Sequence, residues 1–169
     1  MTETQQAVRA RTYTWEDPTI SAAMVGSRSG LEFLQAIGTG EIPRPPVMQT
    51  LGITPIEVEP GRMVFGLQPQ EFHFNPIGTM HGGVLATLLD SAAACAVQTT
   101  LPAGVGYTSL DLTTKFLRPV TLRSGALRCE GTVLSRGQRT ALAQAQVFDD
   151  ADRLIAHATS SCMIFPVDS

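Results

Sequence analysis

The strongest hydrophobic run in the chain is Val84–Val97, apolar at every position except Thr87, Asp90 and Ser91. Its length and lack of period-two alternation predict a buried helix from about Met80 to Val97. Four alanines, Ala92, Ala93, Ala94 and Ala96, keep one side of it slim, so a sheet or second helix approaches closely. Upstream, Leu31, Phe33, Leu34 and Ile37 recur at helical spacing and predict a short amphipathic helix over Ser29–Thr39, ended by Gly38 and Gly40. The prolines of Glu41–Pro46 predict an extended linker. Residues 1–27 carry no sustained period and read as an arm, ordered where Tyr13 and Trp15 find a surface.

Elsewhere the pattern is that of strands. Ile53–Val58 and Met63–Leu67 flank Glu59-Pro-Gly-Arg62, a hairpin turn. A long loop, Gln68–Thr79, leads into the helix, and Leu101–Gly106 breaks the chain after it. Four further runs follow: Tyr107–Arg118, Gly125–Ser135, Gln138–Phe148 and Leu154–Phe165. Period-two alternation is visible in Leu110, Leu112, Thr114, Phe116 and again in Ala141, Ala143, Ala145, Val147. Strands before and after one long apolar helix predict an α+β fold, an antiparallel sheet wrapped around that helix. The expected division is an arm with a short helix over 1–45 and one domain over 46–169.

Composition narrows the class. At 169 residues the chain is long enough for one domain that buries roughly two thirds of its unfolded surface. With 43% hydrophobic and 16% charged residues it is globular rather than disordered. Net charge is −3 and the basic residues are scattered, which argues against nucleic acid as a partner. Lys115 is the only lysine, and arginine, which suits phosphate recognition, supplies the other basic side chains. Cys95, Cys129 and Cys162 are odd in number and sit in apolar or strand-like runs. Residues 1–20 lack a continuous apolar stretch, and no run reaches the roughly 18 apolar residues of a membrane span. The expectation is a cytoplasmic protein with reduced thiols and no membrane partner.

Against this background one carboxylate stands out. Asp90 lies in the middle of the most apolar segment, where an unpaired charge costs several kcal/mol. A local hydroxyl or backbone N–H satisfying it is the plain alternative to a chemical role. At the expected helix start, His81-Gly82-Gly83 combines unpaired backbone N–H groups with minimal side-chain bulk. Such a place admits and polarises a thioester or ester carbonyl, although glycines equally permit tight helix–sheet packing. Asn75, the only asparagine, precedes Pro76 in the loop and is suited to holding a water or merely to shaping the turn. Gly82 and Asp90 are eight residues apart, or about 12 Å along a helix. One chain therefore does not bring both to one carbonyl, and a site shared by two chains is expected.

The run His73-x-Asn75-x-x-Gly78-x-x-His81-Gly82-Gly83, with Asp90 seven residues on, resembles the PaaI-type acyl-CoA thioesterases of the hotdog fold. The resemblance continues through Phe116-Leu-Arg118-Pro119 and spans residues 48–166. It implies a homodimer or homotetramer with shared sites, no metal and no cofactor. The implied substrate is the CoA thioester of a small aromatic or a short- to medium-chain acid. By position, Asp90 resembles the family's catalytic carboxylate, as general base or nucleophile, with Gly82 as carbonyl-polarising N–H and Asn75 as water-positioning amide. Substrate contacts are implied for His81, Gly83, Thr108 or Ser109, and CoA contacts for Arg118, Arg136, Gly137 and Arg139. A non-catalytic acyl-CoA-binding module and a hydratase or dehydratase using an Asp–His pair are the alternatives. His73, His81 and His157 do not form metal-ligand spacing with one another or with the cysteines.

Overall fold

The structure is a computed structural model that describes residues 8–167; the first seven residues of the expected arm lie outside it. Four helices, α1 (Pro18–Ala22), α2 (Gly30–Thr39), α3 (Pro46–Leu51) and α4 (Gly82–Gln98), accompany seven strands. The strands are β1 (Ile53–Glu59), β2 (Arg62–Leu67), β3 (Val105–Ser109), β4 (Thr113–Phe116), β5 (Leu127–Arg136), β6 (Thr140–Phe148) and β7 (Leu154–Pro166). They form one antiparallel sheet in the order β1-β2-β5-β6-β7-β3, with β4 also on β7. This is the hotdog arrangement, a sheet curled around one long helix.

Sheet and helix meet because their sequences are complementary. In β6 the positions Ala141, Ala143, Ala145 and Val147 are buried and alternate with more exposed neighbours. Helix α4 buries Leu85, Leu88, Leu89, Ala92, Ala93 and Ala96 on the same core. The alanine side lets backbone approach backbone: a Cβ added to Gly131 in β5 would stand 2.0 Å from the carbonyl oxygen of Ala92. Only glycine fits there.

Three segments differ from the sequence expectation. The run Tyr107–Arg118 is two strands, because residues 110–112 leave the ladder. The Asp111 carboxylate accepts the Ser161 N–H at 3.0 Å, and its backbone oxygen accepts the Ser160 hydroxyl at 2.8 Å, so β7 stays satisfied across the gap. Residues 18–22 and 46–51 are helical although they carry no visible period. Each begins with proline at its first turn, where the missing N–H costs nothing.

The stretch before β1 is fastened to the body. Ser29 and Glu32 form a capping box at the start of α2. Phe33, Leu34, Ala36, Ile37 and Ile42 form a second buried cluster, with Val58 and Cys95 packed against it. Further upstream, the Arg11 guanidinium stacks over Phe72 at 3.9 Å and donates to the Gln49 carbonyl at 2.9 Å.

Candidate active site

Helix α4 carries two chemically distinct stations. The first is its N-terminus. His81 is the N-cap, and its Nδ1 accepts the Gly83 N–H at 2.9 Å, which requires the neutral ring with its proton on Nε2. Among the described residues the Gly82 N–H has no partner. A Cβ on Gly82 would lie 3.1 Å from the Phe116 ring, so glycine lets that ring lie against the helix start. Gly82, Phe116 and Arg118 share a cleft of about 340 Å³.

The approach to this station is held by its own hydrogen bonds. The Asn75 Oδ1 accepts the N–H groups of Ile77 (3.1 Å) and Thr79 (3.2 Å), and Nδ2 donates to the Thr79 hydroxyl at 3.0 Å. Asn75 thus shapes the loop, and one Nδ2 hydrogen is left over. The His81 N–H donates to the His73 carbonyl at 2.8 Å. The His73 ring is buried, accepts the Gln70 N–H at Nδ1 and donates from Nε2 to the Leu51 carbonyl at 2.8 Å. Burial holds its pKa below the usual imidazole range, so it is a neutral staple between α3 and the loop.

The second station is Asp90. It is half-buried rather than buried as its apolar neighbours suggested, because it lies where the sheet opens between β3 and β4. Its Oδ1 accepts the Ser109 hydroxyl at 3.0 Å; Thr108, the other hydroxyl considered, is exposed. Ser109 is therefore the one that meets the carboxylate. Asp90 borders two spaces, a cleft of about 430 Å³ beside Ala86, Thr87 and Leu110–Leu112, and a cavity of about 680 Å³ on its other side. Near it, burial pushes the Cys95 thiol up to about 12, so it stays protonated beside Tyr107. Cys95, Cys129 and Cys162 are free thiols.

The structure does not bring the two stations together within one chain; they open into separate spaces. The arginines are also dispersed. Arg118 borders the Gly82 cleft and donates to the Leu154 carbonyl. Arg136 and Gly137 are exposed at the β5–β6 turn, where the Gly137 N–H donates to Thr140 O at 2.8 Å, and Arg139 is exposed just before β6. None of the three arginines has a carboxylate partner among the described residues. No cluster of His, Cys, Asp and Glu suited to a metal occurs among the described residues. Sequence reasoning missed Phe116 as the neighbour of Gly82, and missed that residues 21–48 line the large cavity.

Comparison with known proteins bears on the family. The thioesterase superfamily matches residues 77–156, which span both stations. A phenylacetic acid degradation-related protein of Ralstonia eutropha is 31% identical, with a TM-score of 0.70 over 76% of this chain and 97% of that one. The chain belongs to the thioesterase superfamily. Within that family, the human acyl-coenzyme A thioesterase 13 is 34% identical over 70 residues, 41% of this chain and 49% of the relative. The match thus spans about half the length of that curated relative. The Escherichia coli PaaI protein, from the phenylacetic acid degradation operon, shares the fold at 22% identity and a TM-score of 0.70, over 83% of this chain and 96% of its own. No helix among the described residues is long and apolar enough to cross a membrane.

Proposed function

We propose that the protein is an acyl-CoA thioesterase whose smallest active unit is a dimer. The observation that carries this is a pair of complementary half-sites on one helix, an unpartnered N–H at Gly82 and a carboxylate at Asp90. They lie about 12 Å apart, too far to serve one carbonyl. In the proposed site the Gly82 N–H of one subunit polarises the thioester carbonyl, aided by the positive end of α4. Asp90 of a partner subunit, oriented by Ser109, acts as general base or as nucleophile. In the general-base route water forms the new C–O bond, its proton passes to Asp90, and the C–S bond breaks to release CoA thiolate, which is then protonated. The thiolate is a good leaving group, so no cofactor is demanded.

Asn75 keeps the loop before α4 in shape and offers its remaining Nδ2 hydrogen to the water. His81 and Gly83 fix the helix cap, while Arg118, Arg136 and Arg139, with Gly137 giving backbone access, serve the CoA phosphates. The acyl group is expected to be a small aromatic or a short- to medium-chain one. A hydratase reading needs a histidine free to work beside Asp90. Here His81 is committed to its own helix cap and His73 is a buried staple, which speaks against that reading.

Screening the purified protein against a panel of acyl-CoAs, with thiol release as readout, tests the reading together with Asp90→Asn. The variant should keep its melting temperature and acyl-CoA binding but lose hydrolysis by about 10²-fold or more. Hydrolysis at the wild-type rate by Asp90→Asn would remove the proposed mechanism. Tight binding without turnover by the wild type would instead establish a non-catalytic binding module.

A further inference from the structure

A thioester has two arms, and Asp90 borders two spaces. The cleft beside Leu110–Leu112 is open to solvent at the gap between β3 and β4. The cavity of about 680 Å³ on the other side has the size of pockets that enclose whole small ligands. One of its walls is α4 from Asp90 to Gln98 with β3, and Phe65 and Phe165 add aromatic surface. The rest of the lining, Val167 apart, comes from the stretch Ser21 to Met48, through Val25, Phe33, Ile37 and Met48.

That stretch is built in rather than draped over. The Gly104 N–H donates to Gly26 O at 2.8 Å and the Gly30 N–H to Leu101 O at 2.9 Å, so both ends of the α1–α2 connection are tied to the turn after α4. At Gly30 a Cβ would lie 1.9 Å from the Gln98 carbonyl oxygen, which makes α2 meet α4 backbone to backbone. Arg28, the cation on the wall, pairs with Glu41 at 2.9 Å and closes the stretch on itself. Among the described residues, Asp90 is the only carboxylate bordering the cavity. The space is thus lined mostly by apolar residues, and among the described residues it has no unpaired cation to receive a second negative charge. A charged acyl terminus entering it would lose its hydration without compensation.

We propose that residues 21–48 form the acyl-recognition wall of the site, selecting uncharged, apolar acyl chains of medium length over acetyl and over acyl groups that end in a carboxylate. This rests on the thioesterase reading for the position of the carbonyl at Asp90. The specificity-determining side chains are Val25, Phe33 and Ile37. Each methylene moved from water onto such a wall is worth about fourfold in affinity. Octanoyl should therefore exceed acetyl by well over about tenfold in kcat/KM.

The test uses the full chain and two wall variants. Val25 is already 37% exposed at the cavity edge, so Val25→Trp narrows the space without opening the core. It should raise KM for octanoyl-CoA about tenfold or more and raise that for acetyl-CoA far less. Phe33→Ala, with folding checked by its melting transition, should shift the preference towards longer chains. Binding of non-hydrolysable S-alkyl-CoA thioethers of rising length, measured by calorimetry, is run in parallel on all three proteins. Length-dependent binding that Val25→Trp abolishes supports the wall even if no acyl-CoA is hydrolysed, in which case only the thioesterase reading falls. Wild-type binding blind to chain length, equal use of succinyl- and octanoyl-CoA, or a Val25→Trp loss that is the same on acetyl and octanoyl, each overturns the wall.

Discussion

The start and the middle of α4 make an instructive contrast. At Gly82 the proposed functional group is main chain, and the sequence contributes by omitting a side chain, which lets the Phe116 ring lie against the helix start. At Asp90 the proposed functional group is a side chain, half-buried and hydrogen-bonded by Ser109, while Leu88, Leu89 and Ala92 around it are buried. On the proposed reading the first station is sensitive to added atoms, and the second to lost charge. Sites made from backbone are recognised by what is missing, whereas sites made from side chains are recognised by what is out of place.

The sharpest way to break this contrast is to damage each station in a separate chain. Gly82→Pro removes the N–H, and Asp90→Asn removes the base, so each homodimer should be inactive. Mixed subunits should regain about a quarter of wild-type activity, since half of the dimers are mixed and each holds one intact site of two. Dead mixtures of folded chains would place the whole reaction within one subunit. Next in size is Ser109→Ala. A hydrogen bond to a charged group is worth about 1.5–3 kcal/mol. Losing it should lower kcat about tenfold or more with little change in KM, while Thr108→Ala should do neither.

The smallest effect distinguishes the stations by pH. The His73 carbonyl holds the His81 N–H, and the His73 ring is pinned neutral to the Leu51 carbonyl. Its pKa is below the unfolded value, so its contribution is fully present above about pH 6.5 and is lost as pH falls through the folded pKa. Melting temperature should decline on acidification below that point, and His73→Gln should flatten the decline. An unchanged slope in His73→Gln would assign the acid sensitivity to other groups.

How much of this was legible beforehand follows from where the information lies. The α4 run, the β6 alternation and the β1–β2 hairpin are local patterns, and the structure follows them. The break at residues 110–112 was not legible. It depends on the Asp111 carboxylate replacing a backbone acceptor for a residue 50 positions away. Helices α1 and α3 are too short for a 3.6-residue period to show, although Asp17 as N-cap and Pro18 and Pro46 in the first turns were available signals. In the candidate site, spacing alone showed that Gly82 and Asp90 would not converge in one chain. It left Thr108 and Ser109 open, because strand register decides which hydroxyl faces the helix.

The contact between Gly131 and the Ala92 carbonyl has one more consequence. Ala92 is two residues from Asp90, and at that point nothing adjustable lies between strand and helix. The carboxylate's height above the sheet is thus a dimension of the main chain, like the span of a rigid jig, and does not depend on which side chains fill the interior. Substitutions elsewhere in the hydrophobic interior can drift without moving it. A single methyl at position 131 would lift the helix off its seat and carry Asp90 with it.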